Sequence, residues 1–279
     1  MATKQIVPIF SGGGTRLLAH IGILKALQDL NVGFNSLVGI SGGSIVASLH
    51  SYGMSNPALY DLAINTDFRQ FRDFSILRLL RQGGLSSGIK FEQWMDEQLD
   101  GMTFKDAPIP LHILATDVNG GGPVTFSKET SPNMKVSHAV RCSMSIPLLF
   151  SYTVYEQHLL VDGAILSEDA LFREWQDDGT PNICFRLRSE AREQPFNPKR
   201  RFILPQYIGM LIRTFMTALS REYVHAEHWH NTLVINTGAA SSVDFDMSLE
   251  DKLTLFNKGY ETAMNFLPVK LNKLTTHHS

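Results

Sequence analysis

Ser41 lies in the stretch Gly39-Ile40-Ser41-Gly42-Gly43, directly after an apolar run. A strand followed by G-x-S-x-G and then a helix is the setting of a nucleophile elbow, a sharp turn that presents the serine hydroxyl. A helix that begins just after Ser41 would place this hydroxyl at a helix N-terminus, whose partial positive charge favours a developing anion. The motif alone also fits an ordinary glycine-rich turn, so the catalytic interpretation depends on further residues.

A glycine cluster near the N-terminus offers the second part of such a site. Gly12, Gly13 and Gly14 follow an apolar run, and their amides can converge on one spot as an oxyanion hole, joined by the amide of Gly42. A dinucleotide-binding loop fits less well because Leu17 replaces the last glycine of G-x-G-x-x-G, and a P-loop would need a following Gly-Lys-Ser/Thr. The alternative interpretation of this cluster, a plain tight turn, stays open.

A carboxylate is the third part of such a site. Asp162 and Gly163 follow the apolar residues 159–161. An aspartate is a weak base in water, but it can accept a serine proton when both groups are in direct contact inside a desolvated site. The alternative is a common Asp-Gly turn.

The surrounding pattern predicts the elements that would position these residues. Steps of three and four between apolar residues predict a helix over 17–30 and another over 249–267, the latter with Ser248 as N-cap and Pro268 as its stop. Helices that alternate with strands favour a largely parallel sheet covered by helices on both faces, which is typical of the α/β class. Short apolar runs predict strands at residues 6–10, 34–38, 111–118, 124–126, 158–161 and 183–187.

Composition limits the function. The 279 residues carry a net charge of −2, with no basic surplus that would suggest nucleic acid. The two cysteines, Cys142 and Cys184, cannot form a disulfide framework and suggest a reducing compartment. We expect a cytoplasmic chain without a signal peptide or a membrane-spanning stretch, folded as one hydrolase domain over residues 1–270 with a tail at 271–279.

Taken together and in this order, the three motifs resemble the patatin-like phospholipase family. Further similar stretches are residues 19–27, 115–117 and 139–147, so the resemblance covers roughly residues 4–190. It implies a three-layer α/β/α sandwich, a Ser41–Asp162 dyad, and lipid acyl hydrolysis without a metal or other cofactor. It also implies supporting roles for the following residues: Arg16, Gly39, Gly43 and Gly163. The family usually has glycine where Leu17 stands, and the added bulk is expected to narrow the site or shift the oxyanion donors.

The resulting functional hypothesis is a phospholipase A-type hydrolase that cleaves carboxylic esters of membrane phospholipids through an acyl-enzyme. One alternative is a Ser-Asp-His esterase or thioesterase that uses His225, His228 or His230. Another is an inactive scaffold that binds a lipid or a protein. The sequence leaves the oligomeric state open.

Two segments mix large apolar residues with basic ones, residues 68–81 and 199–219. Each fits a lid or an interfacial helix that contacts lipid, which would place the protein peripherally at the inner membrane surface. Each equally fits a helix that packs against its own core, with arginine stems covering it.

Overall fold

The computed structural model describes residues 4–165, 173–176, 178–190, 204–221 and 226–276. Its strands are β1 Lys4–Gln5, β2 Val7–Ser11, β3 Val32–Gly33, β4 Leu37–Ile40, β5 Gly84–Ser86, β6 Leu111–Asp117, β7 Gly122–Phe126, β8 Leu148–Phe150, β9 Thr153–Tyr155, β10 His158–Val161, β11 Asn182–Arg188 and β12 Thr232–Asn236. Its α-helices are α1 Leu17–Asp29, α2 Gly42–Ser51, α3 Asn56–Asn65, α4 Ile76–Gln82, α5 Ile89–Gln98, α6 Val136–Ser143, α7 Leu204–Arg221 and α8 Leu249–Thr276. Short 3₁₀ helices lie at Gly14–Arg16, Phe68–Phe71, Phe104–Asp106 and Ala226–Asn231.

The central sheet is mixed. Within the described residues its strand order is β12-β11-β2-β4-β6-β10-β9, and β7 pairs with β6 as well. Strands β12, β11, β2, β4 and β6 run parallel, while β7, β9 and β10 add antiparallel pairings at the other side. Because β2 and β4 are parallel neighbours, the loops that follow them meet at one edge of the sheet, where α/β proteins commonly bind ligands.

The two faces of the sheet are both apolar, as a parallel sheet covered on both sides requires. Side chains of β2 contribute to two core clusters. Phe10 packs into the larger cluster, whereas Val7 and Ile9 pack into the smaller one with Trp175. The fold is thus an α/β sandwich with helices on both sides of the sheet, as predicted.

Helices α1 and α8 pack together very closely. A Cβ on Gly22 would lie 2.1 Å from the Phe256 carbonyl oxygen, and one on Gly259 would lie 2.0 Å from the Ala19 carbonyl oxygen, so larger side chains are excluded at both points. The predicted N-cap of α8 is confirmed, since the Ser248 hydroxyl accepts a hydrogen bond from the Asp251 amide at 3.1 Å.

Several boundaries differ from the sequence-based expectation. The predicted stop at Pro268 is wrong, because α8 continues through this residue to Thr276. Leu267 and Leu271, on either side of the proline, are buried, and this packing outweighs the local cost of the missing amide hydrogen bond. The second predicted strand begins three residues late, at Leu37, and β12 was not predicted.

Candidate active site

The sheet brings the glycine loop to Ser41. Strands β2 and β4 pair in parallel with Ser11 opposite Ile40, so residues 12–14 and Ser41 leave the sheet side by side. A Cβ on Gly42 would lie 2.3 Å from the Gly14 nitrogen. Only glycine at position 42 therefore permits this close approach of the two loops.

Ser41 occupies a strained turn between β4 and α2. Its φ of 53° and ψ of −132° are unusual for a residue with a side chain, and the first residue of α2 follows at once. Backbone strain of this kind persists only when the surroundings hold it. The neighbouring glycines allow that packing, because a Cβ on Gly39 would lie 2.5 Å from the Ser44 Cα and one on Gly43 would lie 2.1 Å from the Phe10 carbonyl oxygen.

The hydroxyl of Ser41 donates a hydrogen bond directly to Asp162, with Oγ 2.7 Å from Oδ2. The second carboxylate oxygen, Oδ1, accepts a hydrogen bond from the Ala164 amide at 2.9 Å. Both side chains are fully buried. Residues 121 positions apart in the chain thus share one desolvated contact, as the resemblance implied.

The environment of Asp162 favours its protonated form more than water does. Burial raises the pKa of its carboxyl group to about 6, and the hydrogen bonds from Ala164 and Ser41 oppose this shift only in part. A carboxylate with a pKa near neutrality is a much better general base than a solvated one, and it is still ionised at neutral pH.

The last residue of α6 and the segment that follows it contact both members of the pair, a role that sequence reasoning did not predict. The Ser143 hydroxyl accepts a hydrogen bond from the Ser41 amide at 2.8 Å. The carbonyls of Ser143 and Ser145 accept the amides of Gly163 and Asp162 at 3.1 and 3.0 Å. This segment lies within residues 139–147, which the family resemblance highlighted, but its contact with Ser41 spans 102 positions and no local pattern indicates it.

Two buried side chains hold the glycine loop. Arg16 donates from Nε to the Gly13 carbonyl at 3.2 Å and from Nη1 to Thr237 Oγ1 at 2.7 Å, so it supports the loop as one sequence-based interpretation expected. Burial lowers the pKa of Arg16 to about 10, which leaves it charged at neutral pH.

His20 is the second of these side chains. Its Nε2 lies 3.0 Å from the Gly12 carbonyl oxygen, and burial lowers its pKa to about 4, so the neutral ring donates from Nε2. His20 thus contacts the glycine loop and also packs its ring edge-on against Phe10.

The loop amides are not equivalent. The Gly12 amide donates to the Ile40 carbonyl at 3.1 Å and so extends the pairing of β2 with β4. Within the described residues, the amides of Gly13 and Gly14 have no such backbone partner. Both residues have positive φ, 120° and 54°, a conformation that glycine adopts without penalty.

An apolar cavity of about 30 Å³ begins beside the serine. The Met144 sulfur lies 3.8 Å from Ser41 Oγ and forms part of the cavity wall, and the Leu17 side chain forms another part. The bulk of Leu17 therefore narrows this cavity. The other apolar residues of the wall are Ile45, Phe68, Phe71, Phe91, Trp94, Ile146, Leu149, Phe150 and Phe245.

The remaining predicted features lie away from Ser41 or outside the described residues. His225 and residues 199–203 are outside them, as is the side chain of His228, while the described side chain of His230 is exposed. In the described ranges no imidazole lies between Ser41 Oγ and Asp162, which bond directly. None of the helices in the described part of the chain is long and apolar enough to cross a bilayer.

Esterases and lipases of α/β architecture present a serine on this kind of strand-to-helix turn, which favours an esterase or lipase class for this chain. The family can be stated more narrowly. The model of the patatin-like phospholipase family matches residues 9–171, more than half of the chain, and the chain therefore belongs to this family. Membership supports a lipid hydrolase activity.

Individual proteins extend the similarity along the chain. The protein YqhO of Bacillus subtilis is 25% identical over 283 residues, which cover 93% of this chain and 97% of YqhO. Among solved structures, VipD from Legionella pneumophila matches with a TM-score of 0.64 at 14% identity, covering 96% of this chain and 67% of VipD. Human GIVD cytosolic phospholipase A2, solved with methyl γ-linolenyl fluorophosphonate, matches with a TM-score of 0.50 at 13% identity, covering 98% of this chain and 59% of that protein. At these identities the structural matches show a shared fold.

Proposed function

We propose that this protein is a serine hydrolase of acyl lipids in which Ser41 is the nucleophile and Asp162 the general base. The observation that carries the proposal is the buried 2.7 Å hydrogen bond from Ser41 Oγ to Asp162 Oδ2. A hydroxyl is a weak nucleophile unless a base removes its proton during attack, and here the base is in direct contact. The adjoining apolar cavity suits the carbons of an acyl group next to its ester.

The reaction takes place in two halves. In the first half, Oγ attacks the ester carbonyl carbon while its proton moves to Asp162, and the carbonyl oxygen becomes an oxyanion. The amides of Gly13, Gly14 and Gly42 stabilise this oxyanion, each contributing on the order of 3 kcal/mol by analogy with measured oxyanion donors. We leave Gly12 out of this set because its amide already bonds to Ile40. Collapse of the intermediate breaks the bond to the alcohol, which leaves with the proton from Asp162.

In the second half, water attacks the acyl-enzyme. Asp162, ionised again, accepts a proton from the water, and the bond between the acyl carbon and Oγ breaks. Ser41 recovers a proton and the fatty acid leaves. With a pKa of about 6, Asp162 is able to accept and return a proton at neutral pH. The whole cycle uses side chains and backbone amides of this chain.

The substrates that we propose are phospholipids at a membrane surface, cleaved at a carboxylic ester. Four large apolar side chains in or just before α4 are 46–77% exposed: Phe74, Ile76, Leu77 and Leu80. Three more are exposed on α7: Leu204, Tyr207 and Leu211. Apolar groups clustered at the surface, with Arg81 among them also exposed, fit an interfacial face. The protein would then work peripherally at the membrane.

Labelling with a fluorophosphonate tests the nucleophile. The wild-type protein should lose activity in proportion to labelling, with the adduct located on Ser41 by peptide mass spectrometry, and Ser41→Ala should not label. Lack of labelling in the wild type would favour an inactive scaffold. Loss of labelling on replacement of His230, with Asp162→Ala still reactive, would favour a Ser-Asp-His site.

Product analysis tests the substrate class. The protein and its Ser41→Ala variant are incubated with a mixed lipid extract, and products are identified by mass spectrometry. Release of fatty acid and lysophospholipid by the wild type alone supports phospholipase A-type activity. Release from neutral glycerides or thioesters alone would contradict it while leaving the nucleophile assignment intact.

A further inference from the structure

A second apolar space lies behind the cavity beside Ser41. This groove runs between α4 with its preceding segment and α7, and it has a volume of about 390 Å³. It is much larger than the inner cavity, and its walls are largely aliphatic and aromatic. Residues that line it include Phe74, Ile76, Leu85, Ile208 and Ile212.

Two side chains separate the inner cavity from the groove. Leu149 and Phe245 line both spaces, and each is less than 10% exposed. The Phe245 ring packs edge-on against Phe74, with centroids 6.2 Å apart, and the Arg72 guanidinium carbon lies 5.4 Å from its centroid. Leu149 belongs to β8, whereas Phe245 lies on a turn, so at Phe245 the partition is a side chain that no strand or helix holds.

The inner cavity by itself is too small for a fatty acyl chain. Its volume of about 30 Å³ is only a fraction of the roughly 150 Å³ of an engineered apolar cavity that binds benzene. A long acyl chain whose ester carbonyl lies at Ser41 must therefore extend past Leu149 and Phe245. The groove behind them adjoins the inner cavity through these two shared side chains and is the larger apolar space.

We propose that the groove between α4 and α7 holds the distal part of the substrate's acyl chain, and that the chain reaches it by displacing the Phe245 side chain. This inference rests on the proposed function, since it assumes an acyl group on Ser41. It makes the protein selective for long chains, because a short acyl group leaves the groove empty and gains nothing from its walls.

Gly209 provides a direct test. It lines the groove on α7, and a Cβ at this position meets no heavy atom within 4 Å. Larger residues at position 209 therefore fill the groove without pushing into the backbone, and they improve helix propensity over glycine. The variants are Gly209→Ala, Gly209→Leu and Gly209→Trp. The control is Thr214→Trp, which adds the same indole at an exposed position of α7 outside the groove.

The measurement is the rate at which Ser41 is labelled by an ethyl and by a hexadecyl fluorophosphonate. The ratio of hexadecyl to ethyl rates should fall stepwise from Ala to Leu to Trp at position 209. The Trp variant should lose about tenfold or more, since the burial of just two methylenes is worth that much. Thr214→Trp should keep the wild-type ratio.

The outcomes separate the two proposals. If neither probe labels the wild type, the proposed function fails. If the wild type labels, two results would contradict the acyl route through the groove. One is a ratio of hexadecyl to ethyl rates that equals the wild-type ratio in all four variants. The other is an equal fall of both rates in Gly209→Trp. A second measurement is the binding of a fluorescent long-chain fatty acid to the Ser41→Ala protein. Its affinity should fall about tenfold on adding Gly209→Trp, and an unchanged affinity would overturn the inference.

Discussion

The hydroxyl of Ser143 connects the nucleophile to the neighbouring strand: it accepts a hydrogen bond from the Ser41 amide at 2.8 Å and donates one to the Leu114 carbonyl at 2.6 Å. Ser143 ends α6, Ser41 follows β4 and Leu114 belongs to β6. Three elements therefore meet at one buried hydroxyl. The strained turn at Ser41, with φ at 53°, depends in part on this contact, because the bonds from Ser44 within the turn reach only the Ser41 carbonyl.

Ser143→Ala should weaken both the fold and the catalytic turn. It leaves the buried Ser41 amide and the Leu114 carbonyl without this partner, which costs about 1–3 kcal/mol in the free energy of unfolding. The ester kcat should fall more than KM rises, since the variant misplaces Oγ without touching the acyl cavity. Urea unfolding and steady-state kinetics measure the two effects.

Ser48→Ala is the matched control for this experiment. Ser48 is also fully buried, but its hydroxyl has no hydrogen-bond partner among the described residues. Its removal should change the free energy of unfolding by about 0.5 kcal/mol or less. Equal losses in the two alanine variants would contradict the role assigned to Ser143.

The pH profile of activity should report the ionisation of Asp162. A protonated Asp162 cannot accept the serine proton, and its pKa is raised to about 6 by burial. We expect kcat/KM to be level above pH 7 and to fall about tenfold per pH unit well below pH 6. The measurement is hydrolysis of a neutral short-chain ester between pH 4.5 and 8. A midpoint near 4, the ordinary value for a solvated carboxyl group, would show that the fold does not raise the pKa of the group that controls activity.

The same shift makes Asp162 a cost to stability at neutral pH. The folded protein holds the proton of Asp162 up to about pH 6, whereas the unfolded chain releases it near the ordinary pKa of 3.8. The unfolded state thus binds fewer protons in this window, and the contribution of Asp162 to stability falls as pH rises from about 4 to about 6. Asp162→Asn has no carboxyl group at this position, so it lacks this fall in stability with rising pH.

Asp162→Asn should therefore be inactive and yet gain stability relative to the wild type as pH rises. The difference in the free energy of unfolding between the two proteins should grow by up to about 3 kcal/mol from pH 4 to pH 8, as two pKa units imply. Urea unfolding at both pH values measures it. A difference that is independent of pH would mean that the folded protein does not raise this pKa.

Much of the central scaffold could be predicted because short stretches of the sequence indicate its strands and helices. Buried runs of apolar residues indicated β2, β6, β7, β10 and β11, and the three- and four-residue spacing indicated α1. The contact of the glycine loop with Ser41 also followed, since parallel neighbours end at the same edge. Asp162 required the resemblance, because an Asp-Gly pair alone is a common turn.

What could not be predicted depends on long-range packing. Pro268 is a helix stop by local rules, but buried neighbours at positions 267 and 271 carry α8 past it. The hydrogen bonds from the Ser41 amide to Ser143 and from Arg16 to Thr237 span 102 and 221 positions. Serine and threonine at such positions look like any others in the sequence, so their roles appear only when the fold brings the partners together.

The contact of Arg16 with Thr237 should matter for both stability and the glycine loop. Thr237→Val leaves a buried, charged Nη1 without its hydroxyl partner, which costs about 1.5–3 kcal/mol. The loop at Gly13, to which Arg16 also bonds, should then be less well positioned and kcat should fall. Thr232→Val is the control, because Thr232 is equally buried but its hydroxyl has no partner among the described residues. Similar effects of the two valine variants on unfolding and kcat would refute this role of Thr237.

The exposed apolar face around α4 should control binding to membranes. Leu77 and Leu80 are 56% and 77% exposed, so replacing both by Glu removes little packing within the protein. In flotation with vesicles that contain anionic lipid, the double variant should bind about tenfold or more weakly, since each leucine loses its apolar transfer and each glutamate is repelled. The ratio of activity on vesicles to activity on a soluble short-chain ester should fall in parallel. Phe266→Glu changes a residue of α8 with a similar exposure of 58% and is the control. If this control weakens vesicle binding as much as the double variant does, general charge rather than the α4 face governs the contact.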